Sequence, residues 1–136
     1  MTVLAAAVSI VALAPATPAG AVLRCEAYTS GPSTRVLTNN PRTYLVVGGG
    51  SIFCDNALAT AVVVTLTSGG IMTEPARAAS TSDNAFARAE SPCPNAILSW
   101  SVIATGSGAS AGDAGAATDS SSNTLDCTSN VTPPTP

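Results

Sequence analysis

Four cysteines, eight carboxylates, five arginines and two tyrosines are the ionisable side chains around which chemistry could be built, for the 136 residues contain no His and no Lys. Without an imidazole or an amine, a Ser-His-Asp or Cys-His site, a histidine metal site, a Schiff base and a Ser-Lys dyad cannot be assembled within the chain. The carboxylates are Glu26, Asp55, Glu74, Asp83, Glu90, Asp113, Asp119 and Asp126, dispersed over segments that read as turns and strand edges. A glycosidase needs two of them about 5–10 Å apart in a cleft, usually with aromatic platforms for the sugar. One Trp and two Tyr are little to build that from. The expectation is a protein that is not an enzyme and takes no cofactor.

The cysteines Cys25, Cys54, Cys93 and Cys127 read as disulfides. Their number is even, there is no C-x-x-C pair, and the absence of His removes the usual co-ligand of a structural zinc site. Three connectivities are open to four cysteines, and spacing alone does not choose among them. The pairing Cys25–Cys54 with Cys93–Cys127 is favoured because each half of the chain then closes its own loop. By loop entropy each such bridge contributes about 3.6 kcal/mol, comparable in sum to the net stability of a whole domain.

Other motifs carry no chemistry. Gly48-Gly49-Gly50 is followed by neither a helix-opening pattern nor Lys-Ser/Thr, so it reads as a strand-to-strand turn and not as a phosphate cradle. Asp113 and Asp119 stand in a Gly-rich stretch, but their spacing fits no calcium loop. A net charge of −3 with five scattered Arg leaves no basic face for nucleic acid. Asn130-Val131-Thr132 is formally a glycosylation sequon.

The elements that must position these residues repeat with period two. Val62, Val64 and Leu66 alternate with Val63, Thr65 and Thr67, a strand with the first set facing a core. A second strand over 97–105 turns Leu98, Trp100, Val102 and Ala104 inward and Ser99 and Ser101 outward. Shorter strands are expected at 22–29, 43–47, 51–54, 85–90 and 124–127. Turns are expected at Gly31-Pro32, Asn39-Asn40-Pro41, Gly48-Gly49-Gly50, Asp55-Asn56, Ser68-Gly69-Gly70 and Asp83-Asn84, clusters that adopt positive φ or close Asx turns. The segment 73–80 is ambiguous, and 106–123 reads as a mobile loop or a hairpin of very small side chains near 111–117. Seven or so short strands at this turn density describe an all-β fold, a small β-sandwich. Its architecture is Ig-like without the Ig signature, because Trp100 lies between Cys93 and Cys127 at the wrong spacing to both.

The chain ends read differently. An apolar run from Val3 to Ala14, then Pro15, Pro18 and Ala19-Gly20-Ala21, form a signal peptide over 1–21 with cleavage after Ala21. Only Met1 and Thr2 precede the apolar run, where a leader normally carries Lys or Arg, which points to a start further upstream. The run is too short for a permanent anchor, and Arg24 before Cys25 does not suit lipidation. The domain is placed at 22–130, and 131–136, with three prolines, is expected to be an extended tail.

A first-strand Cys after the leader, the run Gly48-Gly49-Gly50-Ser51-Ile52-Phe53-Cys54, and the alternating strand 61–67 form one half of a pattern. Cys93 with an aromatic-bearing strand, a Gly/Ser/Ala stretch and a last Cys form the other. Together they resemble the uncharacterised small secreted four-cysteine β proteins of high-GC Gram-positive bacteria. The resemblance implies export, β-structure and two disulfides, and it carries no activity.

Three functional classes follow from this reading. The first is a non-catalytic secreted or cell-surface-associated protein with a cell-wall or protein partner, no nucleic acid and no stable membrane anchor after cleavage. The second is a small-molecule carrier, since the acidic, Ala/Gly/Ser/Thr/Val-rich composition is similar to that of the enediyne apoproteins. The third is a secreted protease inhibitor presenting Ser91-Pro92-Cys93-Pro94. A deep apolar pocket favours the carrier, a convex exposed loop at 92–95 the inhibitor, and neither leaves the first.

Overall fold

The computed structural model describes residues 22–128. The leader expected at 1–21, the tail at 131–136 and the sequon at Asn130 lie outside the described residues. Within them the fold is all-β, with eight strands: β1 (Cys25–Asn39), β2 (Arg42–Cys54), β3 (Ala59–Ser68), β4 (Ile71–Met72), β5 (Ala76–Ser80), β6 (Asn84–Pro92), β7 (Ile97–Ser110) and β8 (Asp113–Asp126). They form two packed antiparallel sheets, one ordered β1-β2-β6 and the other β4-β3-β7-β8, with β5 also paired to β3. Three connections are two-residue hairpin turns, at Asn40-Pro41, Gly69-Gly70 and Ala111-Gly112. Gly69, Gly70 and Gly112 have φ of 44°, 93° and 82°, the positive values that tight hairpins demand.

The period-two reading holds in register. Val62, Val64, Leu66, Trp100, Val102 and Ala104 are buried, Leu98 is partly buried against them, and Ile97 is exposed. Opposite them lie Val46, Ile52 and Cys54 of β2 and Ala85, Ala87 and Ala89 of β6. The indole Nε1 of Trp100 has no hydrogen-bond partner among the described residues, so apolar burial is what holds the ring inside.

Where the structure departs from the sequence reading, glycine is the reason. Gly48-Gly49-Gly50 is no turn: it lies buried in the middle of β2, and the expected strands 43–47 and 51–54 are the two halves of one strand. A Cβ on Gly48 would stand 2.8 Å from Val102 Cγ2 and 2.9 Å from Leu66 Cδ2, and one on Gly50 2.5 Å from Ala104 Cβ. From the facing sheet, a Cβ on Gly106 would meet Ile52 Cβ at 2.5 Å and one on Gly108 Cys54 Sγ at 2.6 Å. Glycine on one sheet thus receives a larger side chain from the other, which packs an aromatic-poor core to high density.

Gly31-Pro32 is likewise no chain reversal. Ser30 faces Gly49 and Ser33 faces Val47, so two residues of β1 oppose one of β2 in a bulge. Proline lacks the N–H that a ladder needs, and an edge-strand bulge is where it fits. The first strand therefore begins at Cys25 and runs to Asn39, where a strand over 22–29 was expected. Val22 instead bridges to Ala114 and Leu23 N donates to Ala114 O at 3.0 Å. The segment 106–123 is the hairpin of small side chains, β7 continuing to Ser110 and β8 absorbing the strand expected at 124–127. The ambiguous 73–80 contains the short strand β5. Four strands of 13 to 15 residues replace the expected set of short ones.

Both disulfides pair as favoured, Cys25–Cys54 and Cys93–Cys127, and no described cysteine is free. The first crosses β1 and β2 at directly opposed positions. The second ties the connection between β6 and β7 to the residue after β8, joining the two sheets. Two structural disulfides are consistent with an extracellular or otherwise oxidising environment. Side chains of β8 close the edge of β1: Thr29 Oγ1 donates to Asp119 Oδ2 at 2.8 Å, and Ser121 Oγ to Gly31 O at 2.7 Å.

Candidate binding face on the three-stranded sheet

Alternation along β1, β2 and β6 sends one set of side chains to the core and the other to solvent. The register lines up the outward set in rows across the sheet: Glu26–Phe53–Asn84, Tyr28–Ser51–Phe86, Ser30–Gly49–Arg88, Ser33–Val47–Glu90 and Arg35–Leu45–Pro92. Both Phe of the chain and one of its two Tyr therefore stand on one face. Tyr28 is 54% exposed, Phe53 39% and Phe86 59%. Such surface is costly to leave in water, and in a chain with five aromatic residues its concentration on one sheet face makes that face the candidate contact surface.

Relief comes from β2. Ser51, Gly49 and Val47 are the floor, Tyr28 and Ser30 of β1 one wall, Phe86 and Arg88 of β6 the other. A Cβ on Gly49 would stand 2.7 Å from Ser30 Oγ and 3.2 Å from the Phe86 ring, so these two side chains meet above the glycine. An open depression lies on each side of that saddle. One, of about 210 Å³, is lined by Ser30, Gly31, Ser33, Val47, Gly49, Phe86 and Arg88. The other, of about 160 Å³, is lined by Tyr28, Thr29, Ser30, Gly50, Ser51 and Phe86. Both are smaller than the roughly 300–1,000 Å³ clefts that enclose small-molecule ligands.

The charges of the face sum to zero, Arg35 and Arg88 against Glu26 and Glu90. Arg35 Nη2 lies 3.2 Å and Arg88 Nε 3.6 Å from the same Glu90 oxygen, both pairs exposed and each worth about 0–1 kcal/mol at most. Their effect is positional: Arg35 reaches from β1 to β6 over Leu45 and Val47 and closes one end of the trough. At the other end the Tyr28 hydroxyl donates to Glu26 Oε1. That bond, and then the charge of the carboxylate, raise the Tyr28 pKa above the ordinary tyrosine value.

The outer face of the five-stranded sheet is of different character. Its rows read Thr67–Ser101–Ser122, Thr65–Ile103–Ser120 and Val63–Thr105–Thr118, hydroxyl-rich and without an aromatic residue.

The remaining candidates separate cleanly. Asp113 and Asp119 are six residues apart on β8, about 20 Å along an extended strand, so they share no ion. Asp119 is bonded to Thr29, Asp83 accepts from Asn84 Nδ2 at 2.9 Å, and Asp126 accepts from Thr128 N and Oγ1. Those bonds, the side-chain one first, hold the Asp126 carboxyl below its ordinary range. Among the described residues no three His, Cys, Asp or Glu gather closely enough to hold a metal ion. The segment 92–95 is the tied-down start of a short connection, with Cys93 N donating to Tyr44 O at 3.0 Å and Cys93 and Pro94 partly buried. No family model, curated protein or solved structure matches the chain.

Proposed function

We propose that this is a non-catalytic exported protein, secreted or held at the cell surface, that binds an envelope component through the outer face of its three-stranded sheet. The observation that carries the reading is the placement of Tyr28, Phe53 and Phe86 together on that face. Absence of His and Lys and dispersal of the carboxylates support a non-catalytic role. The shallowness of the trough argues against a carrier that encloses its cargo, and the tied connection at 92–95 against an inhibitor that projects a loop. Export is supported by the 1–21 leader pattern and by the two bridges.

The test is co-sedimentation with cell envelopes of the producing organism. Truncating an exposed aromatic anchor removes a large share of binding free energy, so Phe86→Ser should weaken the apparent affinity for the envelopes at least about tenfold, a change of roughly 1.4 kcal/mol. Ile103→Ser, on the opposite face, should leave retention unchanged. Equal retention of wild type and Phe86→Ser, or loss with Ile103→Ser alone, would refute the assignment of the face.

A further inference from the structure

We infer that the ligand of this face is an uncharged glycan chain lying along β2 and packing on Tyr28 and Phe86, an inference that rests on the binding-face reading above. Size is the first argument. Five rows on three strands span about 14 Å by 30 Å, roughly 400 Å², about half of the ~800 Å² per partner that a specific protein–protein interface buries. A second copy of the chain or a globular partner would have to reach well beyond this face, whereas a narrow chain is accommodated within it. The depressions beside Phe86, about 210 and 160 Å³, accept the face of a ring without enclosing it, which suits a narrow chain.

Charge is the second argument. Arg35 and Arg88 share Glu90 at one end and Glu26 holds the Tyr28 hydroxyl at the other, so two cations stand against two anions and the face presents no patch of one sign to a polyanion or a polycation. What it does offer is aromatic surface interleaved with hydroxyls, Ser51 lying between Tyr28 and Phe86 and Ser30 in the adjoining row. A pyranose has the matching chemistry: C–H bonds on its faces that pack against the electron-rich face of an aromatic ring, and hydroxyls at its rim that both donate and accept hydrogen bonds. An extended peptide fits less well. Peptides added to a sheet bind along a free edge through main-chain hydrogen bonds, whereas the floor here is the central strand, paired on both sides.

The experiment is an NMR titration of the secreted protein with cellohexaose, chitohexaose and maltohexaose, with hexagalacturonate as the charged counterpart. It is run beside envelope retention before and after periodate oxidation of the envelopes. Saturable shifts at Tyr28, Ser51 and Phe86 with a neutral hexaose, at least tenfold weaker for Phe86→Ala and for Tyr28→Ala at unchanged thermal midpoint, are the expected result. Periodate, which cleaves vicinal diols, should abolish retention where the glycan is of the cellohexaose or maltohexaose type and spare it where only chitohexaose shifts the resonances. Should all three neutral hexaoses leave these resonances unmoved while oxidised envelopes still retain the protein in a Phe86-dependent way, the glycan is wrong and the face stands. Stronger binding of hexagalacturonate overturns the uncharged ligand. Retention on untreated envelopes that ignores both substitutions overturns the face itself, and the inference with it.

Discussion

Gly50→Ala is expected to destabilise the protein by about 3 kcal/mol, at the top of the range for overpacked cores, and Gly50→Val to yield no folded protein. The reason is geometric. A Cβ at this position would stand 2.5 Å from Ala104 Cβ and 2.7 Å from Val64 Cγ2, whereas carbons in contact sit near 3.5–4.0 Å. Two sheets must separate by about an ångström to admit one methyl group, and the neighbouring contacts of Gly48 with Leu66 and Val102 would open with them. Urea unfolding followed by Trp100 fluorescence measures the loss, and a coupled substitution identifies its cause. In an Ala104→Gly background the cost of Gly50→Ala should fall by at least about 1 kcal/mol, because neighbouring sites in contact are not additive. Identical costs in both backgrounds would show that the close approach of the sheets is not what demands glycine.

The second large effect is expected from the bridges. Replacing Cys93 and Cys127 together by Ser removes a loop constraint spanning 34 residues, and replacing Cys25 and Cys54 one spanning 29. Each double substitution should cost about 2–5 kcal/mol, a large part of the roughly 5–15 kcal/mol available to a domain. The core is mostly Val and Ala with Ile52, three Leu and one buried Trp, and each Val buried returns only about 1.5–3 kcal/mol. Much of the molecule should therefore be unfolded at 37 °C, with Trp100 emission shifted to the red. The Cys93–Cys127 pair has the further consequence of releasing β8 from the connection between the sheets, so amide protection in β8 should fall first. If full reduction leaves the thermal midpoint unchanged, the interdigitation of glycine with larger side chains stabilises the fold without the staples.

How much of this was legible in the sequence follows from what each residue type is used for. Alternation of large apolar with polar residues located β3 and the first part of β7 and set their inward faces, because a one-residue slip would expose Val62, Val64 and Leu66 together. The bridges followed from the number and placement of the cysteines. Turns at Asn40-Pro41 and Gly69-Gly70 announced themselves because proline and positive φ are local properties. Gly48-Gly49-Gly50 misled because glycine has two uses. As a turn residue it supplies a left-handed backbone, and in a tight sheet–sheet seam it supplies an absent side chain, and only the facing residues reveal which. Gly31-Pro32 misled in the same way, since a bulge and a reversal share their composition.

The aromatic face escaped for a related reason. In β6 the inward positions are Ala85, Ala87 and Ala89, so the alternation that turns Phe86, Arg88 and Glu90 outward is written in small side chains that a hydrophobicity pattern scarcely registers. Phe53 lies beside Ile52 and Cys54, and in isolation it reads as part of a buried run. The signal that could have found it is the phase of the alanines, combined with the register that the Cys25–Cys54 bridge imposes on β1 and β2.

If the protein binds the envelope as proposed, hydroxyl-radical labelling of the free and envelope-bound protein, read by mass spectrometry, measures directly which face of the sandwich makes the contact. Tyr28, Phe53 and Phe86 should be labelled in the free protein and protected when it is bound, with Met72, Ile97 and Ile103 labelled equally in both. Protection of Ile97 and Ile103 while Tyr28 and Phe86 stay open to the radical would place the contact on the hydroxyl-rich sheet and contradict the assignment made here.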